Sequence, residues 1–391
     1  MKMMNRGILA TLEIMKKASC KSGLHFYLPA AGRYAAFCLV PMLRRGNPYG
    51  MHSHAGAQER ESKNHKKCKL LLSIYEGCQK FLFRKKFFPL FLIFTAFINV
   101  LCGCSLIPKK LFIEDMTKSF DEGTIISAKT RKPISFAQLI DELSKVQVVY
   151  IGETHINPAH HDVQLKIIKE LHKKKQLITI GMEMFDYTYD HVLDLWTAGK
   201  LDEKEFLQKV HWYANWKFDF GLYSEILYFA RANQIKLVGL NIPFHIPPKI
   251  AMGGIASLSN EDKKYLPNKI DHFNAAHRNH IKKIFDKYHQ GHIKGMKNFD
   301  FFYMAQSVCD DTMAESISKN LHKNTMIVLA GNGHIIHKSG LPQKTFFLTN
   351  TTYKTLYPAS VGSSVQLTCA DYIWVTPQVE KYKNTKQIHI R

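Results

Sequence analysis

The sequence predicts an α/β fold: a mostly parallel sheet flanked by helices, with a helical insertion between the third and fourth core strands. Three observations predict it. The 391 residues are 46% hydrophobic and 22% charged, a globular balance that excludes a fibre or a chain disordered throughout. Short apolar, β-branched runs alternate with stretches of helical period. Strand–helix–strand order repeats, which favours parallel strands joined by right-handed crossovers.

Taken in order, residues 146–151 form the first strand, which ends at Gly152. Residues 158–174 follow as a helix, with Val163, Ile167, Ile168 and Leu171 on one face and Pro158 where a helix start tolerates it. The second strand, 177–180, stops at Gly181. Helices are expected over 186–199, 202–210 and 222–232, and the third strand over 235–240. A long helical insertion fills about 244–321. The fourth strand, 325–329, ends in Ala330 and Gly331. Beyond 344 the stretches 364–368 and 372–376 are β-rich, either edge strands or a small add-on.

The amino-terminal part reads differently. Lys80, Arg84, Lys85 and Lys86 precede an apolar run broken only by Pro89, Thr95 and Asn99, and Leu101-Cys102-Gly103-Cys104 closes it. A basic segment, an apolar segment and small residues make a secretory signal. The final tetrad resembles a lipoprotein lipobox, which predicts cleavage before Cys104 and acylation of its thiol. As a transmembrane anchor the run is at the short limit of about 17 residues. The expected organisation is therefore an upstream extension at 1–79 from a start assigned too early, a signal peptide at 80–103, a tether at 104–135, the main domain at 136–350 and a β-rich extension at 351–391. No Met lies between Met51 and Met116, so the true start would be Met51 or a non-standard codon near Phe81.

Charge and cysteines agree with that division. Of the formal net charge of +22, residues 1–103 hold 17 basic against 4 acidic side chains, so the excess gathers in the leader and argues against a nucleic-acid partner. Five of the eight cysteines precede Cys104. Cys309 and Cys369 remain, in no zinc-binding spacing.

Polar residues follow each strand: Glu153, Thr154 and His155 after the first, Glu183 and Asp186 after the second, Asn241 after the third, Asn332 and His334 after the fourth. Ligands of open α/β sheets bind beyond the carboxyl ends of the strands, so these residues are expected to share one crevice. The first helix adds His160, His161 and Gln164. Singly, each has a plain structural role, the glycines in tight turns and the glutamates at helix starts. Two Gly-x-x-His motifs after separate strands, with a Glu after another, favour a site.

These residues carry a resemblance. Residues 149–155 (VYIGETH), His160 with His161 and Gln164, 181–186 (GMEMFD), Trp216, Tyr223, 240–243, 253–259, Gln306, Asp310, 312–315 and 328–334 resemble the ChaN-like haem-binding uptake lipoproteins over about 138–345. Cys309 stands where that family often has Trp. That family belongs to a superfamily with the Tiki proteases and erythromycin esterases. The resemblance implies a lipoprotein of the cell envelope that binds haem in iron uptake; we read it as non-enzymatic and its haem as non-covalent, and Ser105 after Cys104 points, by analogy with bacterial lipoproteins, to the outer membrane. It implies haem, the membrane, an outer-membrane haem receptor and a second copy of the chain as partners. Iron ligands are expected in the insertion, at Tyr288, His289 or His292, among aromatic and basic residues that suit the haem plate and its propionates. Phe302, Gln306, Cys309 and Met313 lie at helical spacing and read as core. The rival reading is a Tiki-like metal-dependent hydrolase. There Glu153, His155, Glu183 and His334 would be catalytic, and His155, His334 and Glu183 would hold a divalent metal.

Overall fold

The computed structural model describes residues 109–378 apart from 175–176, 272–273, 289–297 and 323, with backbone alone at 284, 287 and 288. All belong to the chain's Asn99–Arg391 unit. Cys104, the leader, His289 and His292 lie outside the described residues, as does the Tyr288 side chain.

The strands are β1 (Leu111–Ile113), β2 (Lys118–Phe120), β3 (Ile125–Ser127), β4 (Lys132–Ile134), β5 (Val148–Glu153), β6 (Ile178–Asp186), β7 (Lys236–Asn241), β8 (Thr325–Gly331), β9 (Tyr353–Ser360), β10 (Ser364–Val365) and β11 (Tyr372–Thr376). The helices are α1 (Phe136–Leu143), α2 (Pro158–Lys173), α3 (Asp190–Thr197), α4 (Glu203–Lys209), α5 (Trp212–Asn215), α6 (Ser224–Ala232), α7 (Ile246–Gly253), α8 (Asn260–Lys263), α9 (Ala275–Tyr288), α10 (Phe299–Asn320), α11 (Asn332–Ile335) and α12 (Leu341–Thr349). The main sheet runs β4-β3-β11-β9-β5-β8-β6-β7, and β10-β1-β2 form a small second sheet. From β11 to β7 every pairing is parallel, and only β3 and β4 join antiparallel.

Alternation along the strands divides the core. Val149, Ile151, Ile180, Met182, Ile327 and Leu329 face one way, onto Leu139, Ile167, Leu171 and Leu227. Val148, Tyr150, Val238, Leu240, Met326 and Val328 face the other, onto Ile250, Val308 and Met313. Burial on both faces explains why the strands read as continuous apolar runs. The expected α/β class, the parallel sheet and the insertion (α7 to α10) are all present. The Asn157 side chain accepts from Ala159 N and Pro158 opens α2, so that helix starts where its sequence signals place it.

Three expectations are corrected. Strands run further than their apolar runs: Gly152 and Glu153 close β5, and Gly181 through Asp186 lie inside β6. Residues 104–135 are no mere tether, since from Leu111 they supply four strands, two of them in the main sheet. Residues 351–378, the described part of the expected 351–391 extension, are no extension, since β9 pairs with β5 and β11 with β9. Pro358 within β9 disguised it, yet Pro358 lies past the stretch that pairs with β5, so the missing N–H breaks no bond there.

Candidate functional site

β5 and β8 are neighbours in register, with Glu153 opposite Gly331, although 178 positions separate them. Their carboxyl ends therefore deliver Glu153, His155 and His334 to one edge of the sheet. Glu183 arrives from β6 through a bulge: Met182 pairs with Gly239, but Asp186 pairs with Asn241. Gly239 permits the close approach, because a Cβ there would lie 2.4 Å from the Asp186 carbonyl oxygen.

Two His–carboxylate pairs result. In the first, His155 Nδ1 donates to Glu153 Oε1 at 2.7 Å, and the same oxygen accepts from the Tyr223 hydroxyl at 2.7 Å. Gln164 Nε2 donates to Glu153 Oε2 at 2.8 Å, so a fully buried carboxylate is satisfied from three sides. The His155 ring packs between Trp216 and Phe218, with centroids 4.8 and 5.1 Å away, and its side chain stays 29% exposed. Burial pulls the His155 pKa down, but the Glu153 hydrogen bond and the Glu183 charge outweigh it and leave the imidazole above its ordinary value.

In the second pair, His334 Nε2 lies 3.2 Å from Glu183 Oε1, and His334 Nδ1 lies 2.6 Å from Asp310 Oδ1. Gly331 N donates to Glu183 Oε2 at 2.6 Å. Burial disfavours the charge on both partners, yet their mutual attraction wins. Glu183 is held at about 2, and His334, with Asp310 added, well above the ordinary imidazole value. A Cβ on Gly331 would fall 2.9 Å from His155 Cε1 and 3.4 Å from Glu183 Oε2, which is why the strand ends in glycine. The two imidazoles thus flank one glycine and one glutamate.

Behind them, His277 of α9 is buried with Nε2 3.7 Å from Asp310 Oδ2, and its Nδ1 lies 3.3 Å from the Tyr303 hydroxyl. Burial holds His277 below the ordinary value, and Asp310 opposes this only in part. His160 and His161 have separate duties. His160 Nδ1 accepts from Thr154 N at 2.9 Å, and burial takes its pKa down to about 3. His161 bridges the His155 carbonyl and Gln164 Oε1.

The donor set does not suit a divalent ion. His334 has both ring nitrogens engaged by carboxylates, Nε2 by Glu183 and Nδ1 by Asp310. Among the described residues no group of three or more His, Cys, Asp or Glu is placed to hold one. The metal expectation for His155, His334 and Glu183 finds no support among the described residues. In the insertion, Phe299 stacks on Tyr303, Phe285 packs tilted against Phe299 and Phe302, and Arg278 lies over Phe299 and Tyr303, so these aromatics build the α9–α10 joint. Cys309 and Met313 are buried as the helical spacing implied, whereas Gln306 Nε2 sits 2.9 Å from His334 Nδ1. Tyr223 and Asp310 are the partners that residue patterns alone did not assign. Both fell within the resembling segments, the only sequence signal pointing to them.

Fold and site define a doubly covered, mostly parallel α/β protein with paired imidazoles and carboxylates at the carboxyl edge of its sheet. The chain belongs to the haem-binding uptake family of the Tiki superfamily, ChaN, whose model matches residues 139–344. The Campylobacter jejuni ChaN structure, described with cofacially bound haem, superimposes with a TM-score of 0.54 at 21% identity, over 64% of this chain and 95% of that one. An erythromycin esterase variant in its open conformation matches at 0.36 and 12% identity, over 61% and 77%. A type III effector matches at 0.37 and 13%, over 61% and 92%. No curated protein matches the chain.

Proposed function

We propose that this protein is a lipid-anchored, non-covalent haem-binding protein that serves haem and iron uptake at the cell envelope. Membership of the haem-binding uptake family over 139–344 carries the reading. The leader supports the anchor, with basic residues, an apolar run and Cys104 in lipobox order. The iron ligand is assigned to Tyr288, His289 or His292, at and just beyond the end of α9. Arg278 and Lys282 on the same helix, which pair with Asp300 and Asp286, and Lys283 beside them are cations of the kind that propionates need. Haem would supply a flat apolar face and an iron that takes a protein ligand. The chain's part is to ligate the iron, cover the plate and neutralise the carboxylates. An outer-membrane receptor and a second copy of the chain are the partners that fit such a role.

Titration of the purified chain with haemin should give a saturable Soret band. The triple variant Tyr288→Phe, His289→Ala, His292→Ala should lose or shift it, while His155→Ala keeps it. An unchanged spectrum in the triple variant removes those residues as ligands, and no band in the parent removes the haem reading itself. One observation favours a hydrolase as the second reading: Glu153 holds His155 Nδ1, the arrangement that aims the far nitrogen of a general base. Ester or peptide turnover that His155→Ala abolishes would establish it.

A further inference from the structure

The described chain begins at the crevice edge of the sheet. Gly362, in the turn that leaves β9 at its carboxyl end, donates its N–H to the Lys110 carbonyl at 2.9 Å, and Phe112 N donates to Ser363 O at 3.1 Å. Lys109 Nζ reaches Gln378 Oε1, just past the end of β11, at 2.7 Å. The crevice loop is tied to the same place, since Asn157 Nδ2 donates to Ser360 Oγ at 3.0 Å. The chain therefore enters the fold beside the loop that carries His155.

Five residues lead from Cys104 to Lys109. Fully extended they span about 18 Å. The edge of the sheet opposite the crevice is farther off, because β9 alone, at about 3.3 Å per residue step, runs about 23 Å from Ser360 back to Tyr353. Both edges expose apolar side chains. Ile156 at 51% and Met252 at 65% lie at the crevice edge, Leu177 at 73% and Phe347 at 69% at the far edge. Exposure alone does not choose between them, but the tether does. For the far edge to rest on a bilayer, Lys109 would have to stand farther from the lipid headgroups than its link to Cys104 can reach.

We propose that the carboxyl edge of the sheet faces the bilayer, with Ile156 and Met252 at the lipid surface, so that the crevice beside His155 opens onto the membrane. An apolar ligand that partitions into lipid, as a haem plate does, then reaches the protein from the bilayer and not from bulk water. This rests on the lipid anchor at Cys104 and goes beyond it in stating which face the anchor presents.

Lipidated full-length protein, processed in cells and reconstituted into phosphatidylcholine–phosphatidylglycerol vesicles with brominated lipid, tests it. Fluorophores are attached singly at Ile156→Cys, Met252→Cys, Leu177→Cys and Phe347→Cys; the remaining Cys309 and Cys369 are buried. Labels at 156 and 252 should lose fluorescence to the brominated lipid, and those at 177 and 347 should keep it. The reverse pattern, or equal quenching at all four, overturns the orientation while leaving the anchor intact. Protein that fails to float with the vesicles overturns the anchor, and the orientation with it.

Discussion

At the scale of single residues, the Glu183–His334 pair sets how the site responds to pH. Glu183, held at about 2 against an ordinary 4.5, contributes stability that is present above pH 4.5 and is lost as pH falls toward 2. His334, raised above 6.5, contributes stability that is full below pH 6.5 and is lost as pH climbs through its raised value. The pair is therefore worth most between those limits. Glu183→Gln leaves a buried imidazolium with one carboxylate partner in place of two and should cost on the order of 3 kcal/mol there. Urea midpoints of parent and variant across pH should differ most near pH 5 to 6 and converge toward pH 2 and at alkaline pH. A gap that does not vary with pH would show that the pair is not ionic.

Between β6 and β7, the deciding feature is the bulge that turns Glu183 to the crevice while Met182, Met184 and Phe185 stay in the core. It depends on Gly239, whose missing Cβ leaves room for backbone, the Asp186 carbonyl, and not for a side-chain tip that can swing aside. Gly239 N also donates to Asp190 Oδ1 at 2.7 Å, fastening the start of α3 to the outer edge of β7. Gly239→Ala should therefore destabilise the fold by about 1–3 kcal/mol through forced displacement of the bulge. It should also lower the His334 pKa as Glu183 retreats, which imidazole NMR titration would register. A variant that keeps both the parent's stability and its His334 titration would mean that the bulge does not position Glu183.

For the whole molecule, β9 and β11 lie inside the main sheet and link β5 to β3. Removing them exposes one long side of β5 and separates β3 and β4 from the rest. A chain ending at 350, the boundary suggested by the apolar runs alone, should fail to fold cooperatively, whereas one ending at 378 should melt like the full chain. Circular dichroism on heating would distinguish them, and a cooperative melt of the shorter chain would show that the extension is dispensable.

The α/β class, the parallel order and the carboxyl-edge crevice were legible because they rest on local patterns: β-branched runs, helical spacing, and Gly followed by a polar residue. His155 and His334 could be expected to meet because right-handed crossovers bring such strand ends to one edge. Other features had no local signature. The bulge that aims Glu183 is a mismatch between two strands, visible only when β6 and β7 are paired. The placing of β9 and β11 in the sheet follows from burial against Ile126, Leu139 and Ile151, which their weak apolar patterns do not announce. Which carboxylates meet the ring nitrogens of His155 and His334 was likewise decided in three dimensions. Tyr223, Asp310 and Gln306 come from distant parts of the chain, and only folding places their polar atoms against the buried pairs that they charge and orient.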